Sequence, residues 1–187
     1  YTLSKETVDD AVPLLNLVAG LGTSEFNVRR VIVAGNANKD MVLSNEEYKN
    51  IIRELIGNCR KLNVKFRTGD PLLIPIFSEV WGIDIKNDDL SKIYAGCQAG
   101  DEIIYIDYKG NVGACSYIPK FADNIKDKAL DDILLNNKLF VDLREYKNKL
   151  EGKCKECNYK MICGGCRASA LALKKSIFAE DPLCLAN

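Results

Sequence analysis

The chain has 187 residues, of which 47% are hydrophobic, so it is long enough to bury a core without disulfide support. Lysine and arginine together number 26 and so do aspartate and glutamate, which gives a formal net charge of zero. A nucleic-acid-binding protein normally carries a basic excess, so this balance argues against that class of partner. No apolar run reaches the roughly 18 residues of a membrane span, so we expect no membrane association.

The first ninety residues alternate predicted strands with predicted helices. The strands are expected at residues 1–3, 29–34 and 63–67. Helices are expected after Thr7 and after Ser44, because each residue begins a Ser/Thr-x-x-Asp/Glu capping pattern, and a third is expected over 72–81. Strands that alternate with helices in this way predict βα units and a parallel sheet.

The predicted sheet is incomplete, because three parallel strands leave an edge unpaired. The chain also begins at Tyr1 without a methionine. Both observations predict that the chain is a fragment of a longer protein. An unpaired edge at residues 1–3 would also allow a second copy to add to the sheet, so we expect a possible homodimer.

The second half of the chain has a different pattern. The segments 102–107 and 111–117 alternate around Gly110, which predicts a β-hairpin whose base brings Cys97 and Cys115 together. Further helices are expected at residues 128–136, 138–149 and 167–174.

The cysteines concentrate in this half, most densely in the run CKECNYKMICGGC over residues 154–166. Candidate ligands are Cys97, Cys115, Cys154, Cys157, Cys163, Cys166 and Cys184. Short C-x-x-C turns direct two soft thiolates to one side, and the glycines at 164 and 165 allow the backbone to approach a bulky inorganic core. The spacing therefore predicts iron-sulfur clusters. Free thiolates of this kind suit a reducing, cytoplasmic environment.

Other uses of the cysteines fit the sequence less well. Disulfides are disfavoured because nothing resembles a signal peptide and the chain is large. Zinc sites of four cysteines usually separate their two C-x-x-C pairs by roughly 15 to 20 residues, more than in this run, and the chain has no histidine. Two alternatives stay open: a zinc-stabilised interaction module and a stand-alone ferredoxin-like electron carrier.

The cysteine pattern resembles the SPASM domain of radical S-adenosylmethionine enzymes. The matching segments are CQAGDEIIYIDYKGNVGAC over 97–115, CKEC over 154–157, CGGCRA over 163–168 and EDPLC over 180–184. Many members have three residues between the cysteines of the third segment, whereas this sequence has two. That shorter form resembles the branch that acts in haem and haem d1 biosynthesis.

The resemblance implies two 4Fe-4S clusters. The ligands of an inner cluster would be Cys97, Cys115 and Cys166. The ligands of an outer cluster would be Cys154, Cys157, Cys163 and Cys184. The inner cluster would lack a fourth cysteine, so we expect an open iron or a non-cysteine ligand there. Cys59 is the weaker alternative, since a lone cysteine near the end of an amphipathic helix is usually a core residue.

The same resemblance implies an α/β fold: residues 1–90 as the second half of a partial (β/α) barrel, and residues 91–187 as a small, cysteine-rich α+β SPASM domain with a β-hairpin. Ser4 and Gly35 match positions where the family contacts S-adenosylmethionine. A serine cap and a turn glycine explain these two residues equally well.

The family's chemistry is oxidoreductase or maturase chemistry started by a 5'-deoxyadenosyl radical from S-adenosylmethionine. It needs a cluster on a C-x3-C-x2-C loop, and this sequence contains no such loop. We therefore expect the chain to be inactive without the N-terminal half of its parent enzyme. The auxiliary clusters would serve electron transfer or substrate binding. Expected partners are that missing half, a reductant such as ferredoxin or flavodoxin, and a tetrapyrrole-type or peptide substrate.

Overall fold

The computed structural model describes residues 1–81 and 96–186, and it has the predicted α/β architecture. The N-terminal part contains β1 (Thr2–Leu3), α1 (Ala11–Gly20), β2 (Glu25–Asn27), β3 (Arg29–Arg30), α2 (Asn45–Lys61), β4 (Lys65–Arg67) and α3 (Ile74–Trp81). β1 pairs with β3 and β2 pairs with β4, both in parallel. The predicted parallel pairing is therefore confirmed, but the strands form two separate two-stranded sheets rather than the single three-stranded sheet expected.

Two strands differ from the prediction. The strand expected over 29–34 ends at Arg30, because β1 offers only two residues to pair with and the last bond runs from Val31 N–H to the Leu3 carbonyl at 2.9 Å. The chain then leaves β1 at Ser4, whose carbonyl accepts from Val8 N–H at 3.0 Å. β2 was not predicted, since three residues are too few to show a hydrophobic period.

Helix α2 begins with the predicted capping box. The Ser44 hydroxyl accepts from Glu47 N–H at 3.2 Å and the Glu47 carboxylate accepts from Ser44 N–H at 2.7 Å. The expected cap at Thr7 is wrong. A short 3-10 turn, Val8–Asp10, precedes α1, and the Thr7 hydroxyl instead donates to the Thr2 carbonyl at 2.9 Å.

The cysteine-bearing part contains β5 (Tyr105–Ile106), β6 (Asn111–Gly113), β7 (Phe121–Asn124), α4 (Leu130–Asn136), α5 (Lys138–Arg144) and α6 (Arg167–Lys174). β5 and β6 form the predicted hairpin, with Gly110 at a φ of 91°, and β7 adds a third antiparallel strand. The helix expected over 138–149 stops at Arg144, and a 3-10 turn, Tyr146–Asn148, follows.

The described residues form two large hydrophobic cores. The first lies under α1, α2 and α3, and it also takes in Cys163 and Leu185 from the other end of the chain. The second packs β6 against α5 and α6. The predicted boundary between residues 90 and 91 lies outside the described residues. Within the described ranges, every helix is too short or too polar to cross a membrane.

Candidate iron-sulfur centre

Four cysteines meet around one narrow cavity, which we call the outer cavity. Its thiols are those of Cys154, Cys157, Cys163 and Cys184, and the space between its lining atoms, including the part open to solvent, is about 350 Å³. Leu72, Pro75 and Leu185 complete the apolar part of its wall. The four residues are those that the resemblance assigns to an outer cluster, although they are spread over 30 positions of the sequence.

The backbone around the outer cavity is arranged to stabilise sulfur ligands. Gly165 N–H donates to the Cys163 sulfur and Tyr159 N–H donates to the Cys157 sulfur, each at 3.4 Å. Gly164 has a φ of 60°, and a Cβ there would lie 2.6 Å from the Tyr146 hydroxyl. Hydrogen bonds to cluster sulfurs are one of the features that proteins use to set reduction potential.

The other three cysteines line a second, wider cavity, which we call the inner cavity. Cys97, Cys115 and Cys166 share it with Arg29, Arg30, Asp70, Gln98 and Tyr117, and it encloses about 820 Å³. Cys97 and Cys115 lie at the base of the hairpin, and Cys166 directly precedes α6. A space of this size leaves room for a molecule beside the thiols, against a wall that combines apolar side chains with Arg29 and Gln98.

Arg30 connects the two parts of the chain next to the inner cavity. Its guanidinium contacts the Asp70 carboxylate at 2.8 Å and the Asp181 carboxylate at 3.1 Å, and it donates to the Ser169 hydroxyl at 3.2 Å. All four side chains are buried. A cation buried between two carboxylates is stabilising only when the geometry is good, because all three charged groups lose their hydration.

Asp181 also links the two cysteine sets. Its carboxylate accepts from Cys166 N–H at 2.9 Å, and its backbone carbonyl accepts from Cys184 N–H at 3.1 Å. Cys166 belongs to the inner cavity and Cys184 to the outer one. Asp181, one buried residue, thus holds the backbone N–H of a cysteine from each cavity.

The thiols interact within each set. Burial raises the pKa of Cys163 to about 12, and the neighbouring Cys184 and Cys154 act in the same direction. Burial likewise raises the pKa of Cys115, with a contribution from Cys97. Iron binds thiolates, so filling either cavity with a cluster requires these protons to leave.

The cysteines do not converge as they would around a single ion. Among residues 1–81 and 96–186, no three Cys, His, Asp or Glu side chains are close enough to hold one metal ion. Zinc requires its thiolates about 2.3 Å from one point. A four-iron cluster takes each thiolate at a different corner, so its ligands lie further from one another than those of a single ion.

The remaining candidates lie away from both cavities. Cys59, on the buried face of α2, is 1% exposed in the first hydrophobic core, and burial raises the pKa of its thiol. The Ser4 hydroxyl contacts the Thr7 hydroxyl at 3.1 Å, in the turn after β1. Gly35 is exposed, with a φ of 60°. Ser4 and Gly35 do not line either cysteine cavity, and their role toward S-adenosylmethionine stays a prediction.

Residues 97–158 match the SPASM family, described as an iron-sulfur cluster-binding domain. This segment of the chain is similar to a SPASM domain. The match covers the hairpin and the first C-x-x-C pair, and the remaining three cysteines follow it in the same two cavities. The predicted iron-sulfur function of this half is therefore confirmed at the level of the domain.

Curated relatives extend the similarity over 98% of the chain. It is 26% identical to the AdoMet-dependent heme synthase of Methanosarcina barkeri and 24% identical to that of Oleidesulfovibrio alaskensis. The chain spans about half the length of these relatives, 54% and 49% respectively. The predicted resemblance to radical S-adenosylmethionine enzymes with a SPASM domain, including the haem branch, is confirmed.

Solved structures show the same fold. Streptococcus suis SuiB bound to its precursor peptide SuiA superposes with a TM-score of 0.71 at 20% identity, over 99% of this chain and 44% of that one. The anSMEcpe structure with AdoMet and the Cp18Cys peptide gives 0.62 at 14% identity, over 96% of this chain and 50% of that one. These matches confirm the predicted partial barrel followed by a SPASM domain.

Sequence reasoning missed the buried charges of the site. Arg30, Asp70 and Asp181 appear in the sequence as ordinary polar residues, and their partners lie far away along the chain. The only local signal was the position of Asp181 three residues before Cys184. A buried arginine directly after Cys166 was also missed.

Proposed function

We propose that the SPASM domain binds two 4Fe-4S clusters, one in each cysteine cavity. Cys154, Cys157, Cys163 and Cys184 would hold the outer one, and Cys97, Cys115 and Cys166 the inner one. The observation that supports this proposal is the division of the seven cysteines between two separate cavities. Backbone N–H groups directed at two of the sulfurs add support.

We assign different tasks to the two cavities. Clusters of this type pass single electrons and, where an iron is left open, bind a substrate atom. The outer cavity has four thiols and a largely apolar wall, which suits electron transfer. The inner cavity has three thiols beside a larger space that Arg29, Gln98 and Tyr117 also line, which suits contact with substrate.

For the parent enzyme we propose modification of a tetrapyrrole that carries carboxylates. The support is the name of the curated relatives, AdoMet-dependent heme synthase, together with Arg29 at the wall of the inner cavity. Arg29 is exposed, and an arginine fork matches a carboxylate with two hydrogen bonds. A peptide substrate is the second candidate, because SuiB was solved with its precursor peptide.

Metal analysis tests the cluster proposal. The chain would be purified and reconstituted without oxygen, and its iron, acid-labile sulfide and zinc measured together with the visible spectrum. We expect about eight irons and eight sulfides per chain, the content of two four-iron clusters. One or two zinc ions without sulfide would overturn the proposal and favour a zinc-stabilised module.

A binding titration tests the substrate class. Reconstituted chain would be titrated with an iron tetrapyrrole that bears carboxylate side chains, and with the same tetrapyrrole as its methyl ester, following the absorbance of the ring. Tighter binding of the free acid is expected, because only it carries charges for Arg29. Equal binding of both forms would contradict the carboxylate contact.

A further inference from the structure

Arg167 is the first residue of α6, and no part of it is exposed to solvent. One of its terminal nitrogens, Nη1, donates to the carbonyl of Ile177 at 2.7 Å and to that of Ala179 at 2.8 Å. The guanidinium also lies over the ring of Tyr146, with its central carbon 5.3 Å from the ring centroid. These contacts hold the side chain but do not neutralise its charge.

The other two nitrogens of Arg167 have no partner. Nε and Nη2 are buried and make no hydrogen bond, and no carboxylate of the described residues forms an ion pair with the guanidinium. The contrast with Arg30 is direct, since that buried arginine contacts both Asp70 and Asp181. A buried, unpaired cation with free donors is strongly unfavourable unless an anion accompanies it.

The free nitrogens lie behind the wall of the outer cavity. A Cβ built on Gly165 would be 2.7 Å from Arg167 Nη2, and Gly165 lines that cavity with Cys154 and Cys163. Gly165 therefore lies between the guanidinium and the cavity, and the Asp181 carboxylate lies against the same glycine, with Oδ2 3.6 Å from the Cβ position.

We propose that Arg167 is the charge-compensating partner of the outer cluster. This inference rests on the proposed function, because it takes the outer cavity to hold four thiolates and an iron-sulfur core. Such a group is anionic and accepts hydrogen bonds at its sulfurs. Arg167 would supply the missing positive charge, and its free donors would find their acceptors there.

The expected consequence is a change in reduction potential. Reduction adds negative charge to the cluster, so a nearby cation and sulfur-directed hydrogen bonds stabilise the reduced form and raise the potential. Without Arg167 the outer cluster should be harder to reduce. The inner cluster should change less, because Arg30 and its two carboxylates lie beside that cavity.

The test is an EPR-monitored redox titration of the reconstituted chain and three variants. Arg167→Gln removes the charge, and Arg167→Lys keeps the charge but not the fork. Arg144→Gln is the matched control: that arginine also donates to two carbonyls, those of Leu134 and Leu135, but it is exposed and lines neither cavity. The outer signal is identified as the one lost in Cys184→Ser.

Iron content in the unmodified chain is read first, so that failure of the two-cluster proposal is recognised separately. With eight irons present, we expect Arg167→Gln to shift the outer signal to a more negative potential or to lose that cluster alone. The outer potential of Arg167→Lys should lie between those of Arg167→Gln and the parent, and the outer potential of Arg144→Gln should equal that of the parent.

An outer potential unchanged in Arg167→Gln at full iron content would overturn the proposal. So would loss of the fold in both Arg167 variants before reconstitution, because the bonds to Ile177 and Ala179 would then explain the residue.

Discussion

The two cysteine cavities of the SPASM domain differ in ligands, size and charge. The outer one has four thiols in about 350 Å³, backs onto Arg167 and has a mostly apolar wall. The inner one has three thiols in about 820 Å³ and is lined by arginine, aspartate and glutamine side chains. Both cavities open to solvent, and Cys154, Cys157 and Cys184 of the outer set also line a second open pocket with Asn45 and Glu180. The inner cavity is the roomier of the two sites.

This difference shows how one short domain can offer two environments to the same kind of group. The CGGC run places Cys163 in one cavity and Cys166 in the other, so the separation depends on the glycines between them. Gly164 and Gly165 both have positive φ, and a side chain at either would meet Tyr146 or Arg167. Each cavity is therefore built partly from the same loop.

The largest effect on stability and iron content is expected from a substitution at Asp181, which accepts a hydrogen bond from one cysteine of each cavity. Asp181→Asn removes the carboxylate charge next to Arg30 and weakens the bond from Cys166 N–H. Breaking a buried ion pair costs about 3 kcal/mol. We expect the free energy of unfolding in urea to fall by that amount and iron to be lost from both cavities.

The control for that change is Asp142→Asn. Asp142 pairs with Lys138 and Lys149, whose side chains are 85% and 37% exposed, so its loss should cost at most about 1 kcal/mol. If Asp181→Asn unfolded at the same urea concentration as the parent, the two cavities would not share this residue as a support.

The next largest effect, a loss of half of the iron, should distinguish the two cavities from each other. Cys184→Ser removes one outer thiol and Cys115→Ser removes one inner thiol, so each variant should keep about four of the eight irons expected for two clusters. Their EPR spectra should be complementary and add up to that of the parent. Complete loss of iron in either variant would mean that the two cavities load as one unit.

A smaller effect is expected at the inner cavity alone. Arg29→Gln should weaken binding of a carboxylate-bearing tetrapyrrole about tenfold, which is about 1.4 kcal/mol, and leave the iron content unchanged. Arg67→Gln is the control, because that exposed arginine on β4 pairs with Glu25 and lines neither cavity. Equal affinities of the two variants would remove Arg29 from the proposed contact.

The smallest effect concerns the eighth cysteine, which belongs to neither cavity. Cys59→Ala should keep the full iron content and lose about 1 kcal/mol of stability from the core. Because burial raises the pKa of Cys59, its thiol should also resist alkylation in the folded chain at pH 8, which mass spectrometry can follow. Loss of four irons in this variant would instead identify Cys59 as the missing inner ligand.

Local signals predicted much of this fold. The Ser44 and Glu47 capping box, the turn at Gly110 and the start of α6 directly after Cys166 all rest on neighbours within a few residues. The two cysteine sets were predicted from the resemblance, and the structure brings the same residues together. Strands β2 and β7 escaped prediction because three or four residues show no clear period.

The charged part of the site could not be read from the sequence. Charged residues are mostly exposed, so Arg30, Asp70 and Arg167 would be placed on the surface by composition alone. Their burial follows from tertiary contacts, some of them very distant along the chain: Arg30 contacts Ser169, 139 residues away, whereas Asp70 is bonded by Tyr48 and Arg167 by the carbonyl of Ile177. Only the fold shows that Arg30 has carboxylate partners and that Arg167 has no ion pair with any carboxylate of residues 1–81 and 96–186.

The ion pair between Arg30 and Asp181 joins residues that are 151 positions apart. At typical rates of protein synthesis, roughly 5 to 20 residues per second, about 8 to 30 seconds pass between the two during translation. Cys184 is made only after Asp181, so both cavities lack one of their supports throughout this interval. Under the proposed function, cluster insertion therefore follows the synthesis of residue 184.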